Sequence, residues 1–97
     1  MQDELIIIEE YCNQYNVDVT FIDSLEEYGL IAITIIEAKR YVPIKEVQAI
    51  ERYVHMHYEL EINMPGLEAI SHLLDKVENL QHELATLKER LRLYSNG

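Results

Sequence analysis

The sequence predicts a mainly α-helical fold, with a small head that carries a β-hairpin and one long C-terminal helix that forms a coiled coil. Three observations support this prediction. Apolar side chains recur at helical spacing between residues 9 and 60, a run rich in Ile and Thr at 31–36 indicates an extended segment, and apolar residues alternate at intervals of three and four from residue 70 onward. A length of 97 residues suits one small domain with an appended helix.

The first helix is predicted at residues 9–15. The apolar run at 5–8 precedes it, either as a short strand or as the approach to the helix, and belongs to the core in both cases. Tyr11, Cys12 and Tyr15 share one face, and Asn16 tolerates the left-handed turn that ends such a helix.

A second short helix is predicted after a tight turn. Asp18 is suited to cap its N-terminus through the carboxylate, and Gly29 supplies its end. The apolar positions between them follow helical spacing: Phe21, Ile22, Leu25 and Tyr28.

A small hairpin and a third helix are predicted next. Residues 31–36 and 41–42 form the hairpin across turn residues 38–40. Pro43 suits the first turn of the third helix, which extends to about residue 60. Its apolar face consists of Ile44, Val47, Ile50 and Val54.

The last helix begins at Asn63 and Pro65, with Asn63 as the cap. Heptad positions a and d are filled by Ile70, Leu73, Val77, Leu80, Leu84, Leu87, Leu91 and Tyr94. Leu67 and Leu74 widen the stripe at its start, which predicts docking on a domain, whereas the narrower stripe beyond them favours another helix.

The chain is therefore divided into a head at residues 1–64 and a C-terminal helix at 65–97. That helix is expected to dock on the head at its start and to form a dimeric coiled coil from about residue 77. The predicted dimer interface consists of Val77, Leu80, Leu84, Leu87, Leu91 and Tyr94.

The formal net charge is -10, and residues 1–38 contain nine carboxylates with no Lys or Arg. Such a surface repels phosphate backbones and anionic membranes, so a basic protein partner is favoured over nucleic acid. Asp23, Glu26 and Glu27 have the spacing that places three carboxylates on one helix face.

Nothing in the sequence suggests catalysis, a metal or a cofactor. Cys12 has no basic neighbour in sequence and is expected in the core, and His55 and His57 are spaced to point apart. Tyr53, Tyr58 and Arg52 are candidates for an aromatic surface patch. A single cysteine and the absence of a signal peptide or a membrane span predict a cytoplasmic protein.

The order of features in residues 6–31 resembles the MerR-type winged helix-turn-helix head. The segment Glu26-Glu27-Tyr28-Gly29-Leu30-Ile31 closes the second helix in the same way, and Arg40-Tyr41-Val42-Pro43 looks like the wing. In that family the second helix usually carries arginines, whereas Thr20 and Asp23 occupy the matching positions here, and Ser24 replaces a usual aromatic. The basic residues for phosphate contact are therefore missing.

A divergent branch, the chaperone-modulator family CbpM, is the closer resemblance. It is carried by Tyr41-Val42-Pro43, by residues 58–70 and by the leucine heptads, with Leu60, Ile62, Asn63, Gly66, Leu67 and Glu68 contributing most. Members bind the J-domain of a DnaJ-like or CbpA-like co-chaperone and so hinder its work with Hsp70. The resemblance implies a homodimer that blocks a J-domain, with the partner-binding candidates Asp18, Asp23, Glu26 and Glu27 in the head.

Two alternatives accompany this interpretation. A transcription regulator could bind DNA through Lys39, Arg40, Lys45 and Arg52, and a bare dimerisation module could lack a co-chaperone partner. The direction of the coiled coil is open, because Glu83 with Lys88 suits a parallel pair and the MerR resemblance favours an antiparallel one.

Overall fold

The first element that the structure describes is a strand that leads directly into a helix. The structure, a computed structural model, describes residues 4–96, with β1 at Leu5–Ile7 and α1 at Ile8–Tyr15. The two predictions for residues 5–8 are therefore each right in part, and Ile8 is buried. Asn16 follows with φ 56° and ψ 47°, which confirms the predicted left-handed turn.

The second helix, α2, spans Val19–Glu27. Asp18 occupies the N-cap position, where its backbone carbonyl accepts the N–H of Phe21 at 3.0 Å. Within the described residues its carboxylate makes no capping hydrogen bond, contrary to expectation. Gly29 confirms the predicted end of the helix, because its φ of 73° is a conformation that favours glycine.

The predicted hairpin is present and is joined by β1. β2 at Thr34–Ile36 and β3 at Lys39–Pro43 are antiparallel, and β1 pairs with the other edge of β3. Glu37 and Ala38 form the connection with φ 50° and 66°, the left-handed pair that a two-residue hairpin turn requires. The turn thus lies nearer the N-terminus than the predicted 38–40.

Pro43 does not open a helix, which corrects the sequence-based prediction. It is the last residue of β3 and pairs with Leu5, so the chain stays extended until a 3-10 turn at Ile44–Glu46. α3 then spans Val47–Val54 and continues as a π-helical turn at His55–Glu59. Ile44 is 49% exposed and does not belong to the buried face of α3.

The C-terminal helix, α4, spans Met64–Asn96, and its 33 residues extend ~50 Å at 1.5 Å each. Asn63 caps it as predicted, since its Oδ1 accepts the N–H of Gly66 at 2.8 Å. A Cβ at Gly66 would lie 2.7 Å from Ile62 Cγ2, so any larger residue would clash with Ile62 unless that side chain moved.

One apolar core joins the head to the beginning of α4. Its members are Ile8, Tyr11, Cys12, Val17, Phe21, Ile22, Leu25, Ile31, Val42, Ile50, Tyr53 and Leu67. Leu67 is fully buried although it lies on α4, whereas Leu74, which was expected to dock with it, remains 37% exposed. Tyr15, predicted on the buried face of α1, is 56% exposed.

Beyond the core, α4 projects away from the head. The molecule measures 58 × 36 × 21 Å as a result. Every residue of the predicted dimer interface is exposed, from 45% at Val77 to 86% at Tyr94. Among residues 4–96, no helix has the length and hydrophobicity needed to cross a membrane.

Candidate functional site

The acidic face of α2 is divided by an ion pair. Arg40 on β3 donates from Nη1 to Oδ1 of Asp23, which sequence spacing could not show because 17 residues separate the two. Asp23, one of the predicted partner-binding residues, is thus paired within the head, and its role in binding a basic partner stays a prediction. Glu26 and Glu27 remain exposed on the same helix.

Arg40 lies among negatively charged side chains at this end of the head. Its pKa is raised, first by the hydrogen bond with Asp23 and further by the negative charges of Asp23, Glu9 and Glu26. The guanidinium therefore stays charged and offsets part of the potential that Glu9 and Glu26 create. Asp18 lies at the opposite, N-terminal end of α2.

An aromatic cluster occupies that N-terminal end. The ring of Phe21 stacks on His57 with 4.6 Å between centroids, and Tyr58 meets both rings edge-on at 5.5 and 5.1 Å. The backbone N–H of Asp18 donates to Tyr58 Oη at 3.3 Å, and His57 Nδ1 donates to the carbonyl of Ile62 at 2.9 Å. The π-helical turn is thus fastened to the beginning of α2.

Tyr53 and Tyr58 do not share a surface patch, contrary to the prediction. Tyr53 is buried in the core, where its hydroxyl lies 3.3 Å from Ser71 Oγ, so it is not part of a surface patch. The proximity of Tyr58 to Asp18 joins residues 40 apart and has no signal in local spacing.

The turn between α1 and α2 borders a polar groove of about 380 Å³ that includes Cys12, Asn16 and Asp18 among its lining residues. Burial raises the pKa of the Cys12 thiol, and the carboxylate of Asp23 raises it further. The thiol therefore remains protonated at neutral pH and is a poor nucleophile, in agreement with a core role. Within residues 4–96, no three His, Cys, Asp or Glu side chains are grouped to hold a metal.

These elements, two short helices joined by a tight turn and followed by a hairpin, are those of a winged helix-turn-helix. A family model described as MerR HTH family regulatory protein matches residues 6–89. The chain belongs to the MerR family. No curated protein and no solved structure matches it.

The MerR-family head places its four candidate DNA contacts on different elements. Lys39 and Arg40 lie on the hairpin, Lys45 lies in the 3-10 turn, and Arg52 lies on α3. Arg40 is already paired with Asp23, so one of the four basic side chains that could contact phosphates has a partner within the head.

A second groove separates α3 from the beginning of α4. It encloses about 540 Å³, and Met56, Ile70 and Leu74 give it an apolar floor beside Glu51 and Arg52. In this MerR-family protein the groove lies beside the beginning of α4, just before the predicted coiled-coil segment. It is continuous with the exposed heptad stripe through Ile70.

Proposed function

We propose that this MerR-family protein is a homodimeric chaperone modulator. Its head binds the J-domain of a DnaJ-like or CbpA-like co-chaperone and sterically hinders the cooperation of that co-chaperone with Hsp70. The observation that carries this proposal is the charge of the head, in which residues 1–64 contain thirteen carboxylates and four Lys or Arg side chains. One of those four, Arg40, is paired within the head.

This charge balance favours a basic protein partner over a nucleic acid. Affinity for DNA depends on several Lys or Arg contacts that release counterions from the phosphates, and an acidic surface opposes the approach. J-domains, by the family resemblance, present a basic helix. Opposite charges on the two surfaces accelerate their encounter and select against other partners.

The residues that carry the resemblance to chaperone modulators have structural roles. Asn63 caps α4, Gly66 permits a close approach to Ile62, and Leu67 fills the core. They support a shared architecture at the junction of head and helix, whereas the choice of partner rests on the charge of the head.

The test is calorimetric titration of the full chain with a purified J-domain, with a gel-shift assay on duplex DNA in parallel. We expect saturable J-domain binding that weakens as salt is raised, and no shift of DNA at low salt. Robust DNA binding with a steep salt dependence would instead favour the MerR-type transcription regulator, which family membership makes the second candidate. If the chain bound neither the J-domain nor DNA, the chaperone-modulator proposal would be refuted and a dimerisation module would be the remaining interpretation.

The dimer is proposed from the exposed stripe on α4. Leu80 and Leu87 are 62% and 53% exposed, and the predicted interface residues repeat over nearly three heptads. A continuous apolar stripe of this length on one side of an isolated helix is stabilised when a second helix covers it. A second copy of this chain presents the matching stripe.

The charges along α4 favour an antiparallel pair. Residues 67–80 carry three carboxylates and one lysine, whereas residues 84–97 carry three basic side chains and one carboxylate. Antiparallel pairing places each segment against the opposite charge, and parallel pairing places like against like. The helix dipoles also oppose each other in the antiparallel arrangement.

One antiparallel register pairs all heptad positions, with Ile70 against Tyr94 of the partner subunit and Leu80 against Leu84 of the partner subunit. Shifting it by one heptad gains ion pairs between Glu83 and the partner's Arg90 but uncovers Ile70 and Leu73. Burying a leucine is worth about 2 kcal/mol, against a few tenths for an exposed ion pair, so the full register is favoured. It also brings the partner's Tyr94 to the groove between α3 and α4.

Spin labels can measure this direction and register. Asp75, His82 and Glu89 share heptad position f, so each is replaced by a labelled Cys in a Cys12→Ser background. In the proposed register the two labels at position 82 lie level, and those at 75 or 89 lie ~21 Å apart along the axis. Equal label distances at all three positions would show a parallel pair instead.

A further inference from the structure

An exposed apolar patch lies beside the N-terminal end of α2. Tyr58 is 44% exposed and Leu60 is 57% exposed. The ring of Tyr58 is held by the N–H of Asp18 at its hydroxyl and by the rings of Phe21 and His57 at its edges. A large side chain fixed in one orientation loses little conformational entropy when a partner covers it.

Carboxylates border this patch, and one of them, Glu59, is paired with His55, whose Nδ1 lies 2.6 Å from Glu59 Oε2. Asp18, Glu59 and Glu61 are exposed around Tyr58 and Leu60. Residues 1–38 and 53–75, which supply both sides of the patch, contain no Lys or Arg. The opposite end of α2 differs, because Arg40 there offsets Asp23 and lies in the field of Glu26.

The patch is separate from the surface proposed for dimerisation. His55 and Met56 line the groove towards α4, whereas His57 and Tyr58 contact the aromatic ring of α2. The π-helical turn therefore faces the groove on one side and Phe21 on the other.

We infer that the Tyr58 patch, defined as Asp18 with residues 58–61, is the contact surface for the basic helix of the J-domain. The inference rests on the proposed function and names the face that performs it. The ring of Tyr58 accepts the stem and cationic end of a Lys or Arg side chain, and Asp18 and Glu61 pair with further basic groups. Leu60 covers an apolar residue on the same helix.

Two matched charge reversals test the inference. Glu61 and Glu37 are both exposed glutamates in left-handed conformation, with φ 57° and 50°. Glu61→Lys and Glu37→Lys therefore change the net charge by the same amount, and each places a lysine at a residue with positive φ. Only Glu61 lies in the Tyr58 patch, since Glu37 lies at the hairpin turn. A separate variant, Leu60→Ser, removes an exposed apolar side chain of the patch without changing the net charge.

Each variant is titrated calorimetrically with the same purified J-domain, and its thermal unfolding is recorded. We expect Glu61→Lys to weaken binding about tenfold and Leu60→Ser severalfold, whereas Glu37→Lys stays within about twofold of the original chain. Equal losses for Glu61→Lys and Glu37→Lys, or no loss for either patch variant, would overturn the patch while leaving J-domain binding intact. Failure of the unsubstituted chain to bind the J-domain would overturn the proposed function and the patch together.

Discussion

The double substitution Leu84→Asp with Leu87→Asp is expected to convert the proposed dimer into monomers. In the proposed antiparallel register both residues lie in the central layers, so four carboxylates enter one apolar seam. Each substituted position loses the free energy of burying a leucine, about 2 kcal/mol. It also adds the cost of removing a carboxylate from water. Sedimentation should show a particle of the 11.4 kDa chain mass in place of one twice as heavy.

The control variant carries His82→Asp with Thr86→Asp. Position 82 is f of the preceding heptad and position 86 is c of the heptad that contains Leu84 and Leu87. Both face away from the seam, so the added carboxylates should leave the dimer mass unchanged. Dissociation of the control would indicate a general charge effect on α4. An unchanged mass for the Leu84 and Leu87 variant would refute the assigned interface.

Leu67→Ala is expected to destabilise the head although the residue belongs to α4. Leu67 is fully buried and belongs to the same apolar core as Leu25 and Ile50. Truncating a buried leucine costs about 3 kcal/mol, through lost burial and the cavity that remains. For a small head this is a large share of the total stability.

The measurement is urea unfolding followed by the near-ultraviolet circular dichroism of the tyrosines. Tyr11 and Tyr53 are buried and report on head packing. Leu93→Ala, at a 66% exposed position of the same helix, is the matched control and should leave the midpoint nearly unchanged. Equal midpoints for the two variants would mean that α4 does not contribute to the core.

Several features of the fold follow from local rules and were predicted correctly. Asn16 and Gly29 end α1 and α2 because each tolerates positive φ, and Asn63 caps α4 through its side chain. The hairpin was predicted from its β-branched composition. Pro43 was misassigned because a proline fits the end of a strand as well as the first turn of a helix, and pairing with Leu5 decides between them.

The acidic balance of the head, the ends of α1 and α2 and the heptad stripe are readable from the sequence alone, because composition and periodicity are properties of neighbouring residues. The contacts of Asp18 and Asp23 within the head, in contrast, depend on the tertiary fold. Arg40 reaches Asp23 because the hairpin folds back onto α2, and Tyr58 reaches Asp18 because the π-helical turn packs on Phe21. These contacts span 17 and 40 residues, and such distances along the chain become proximity only when the core forms.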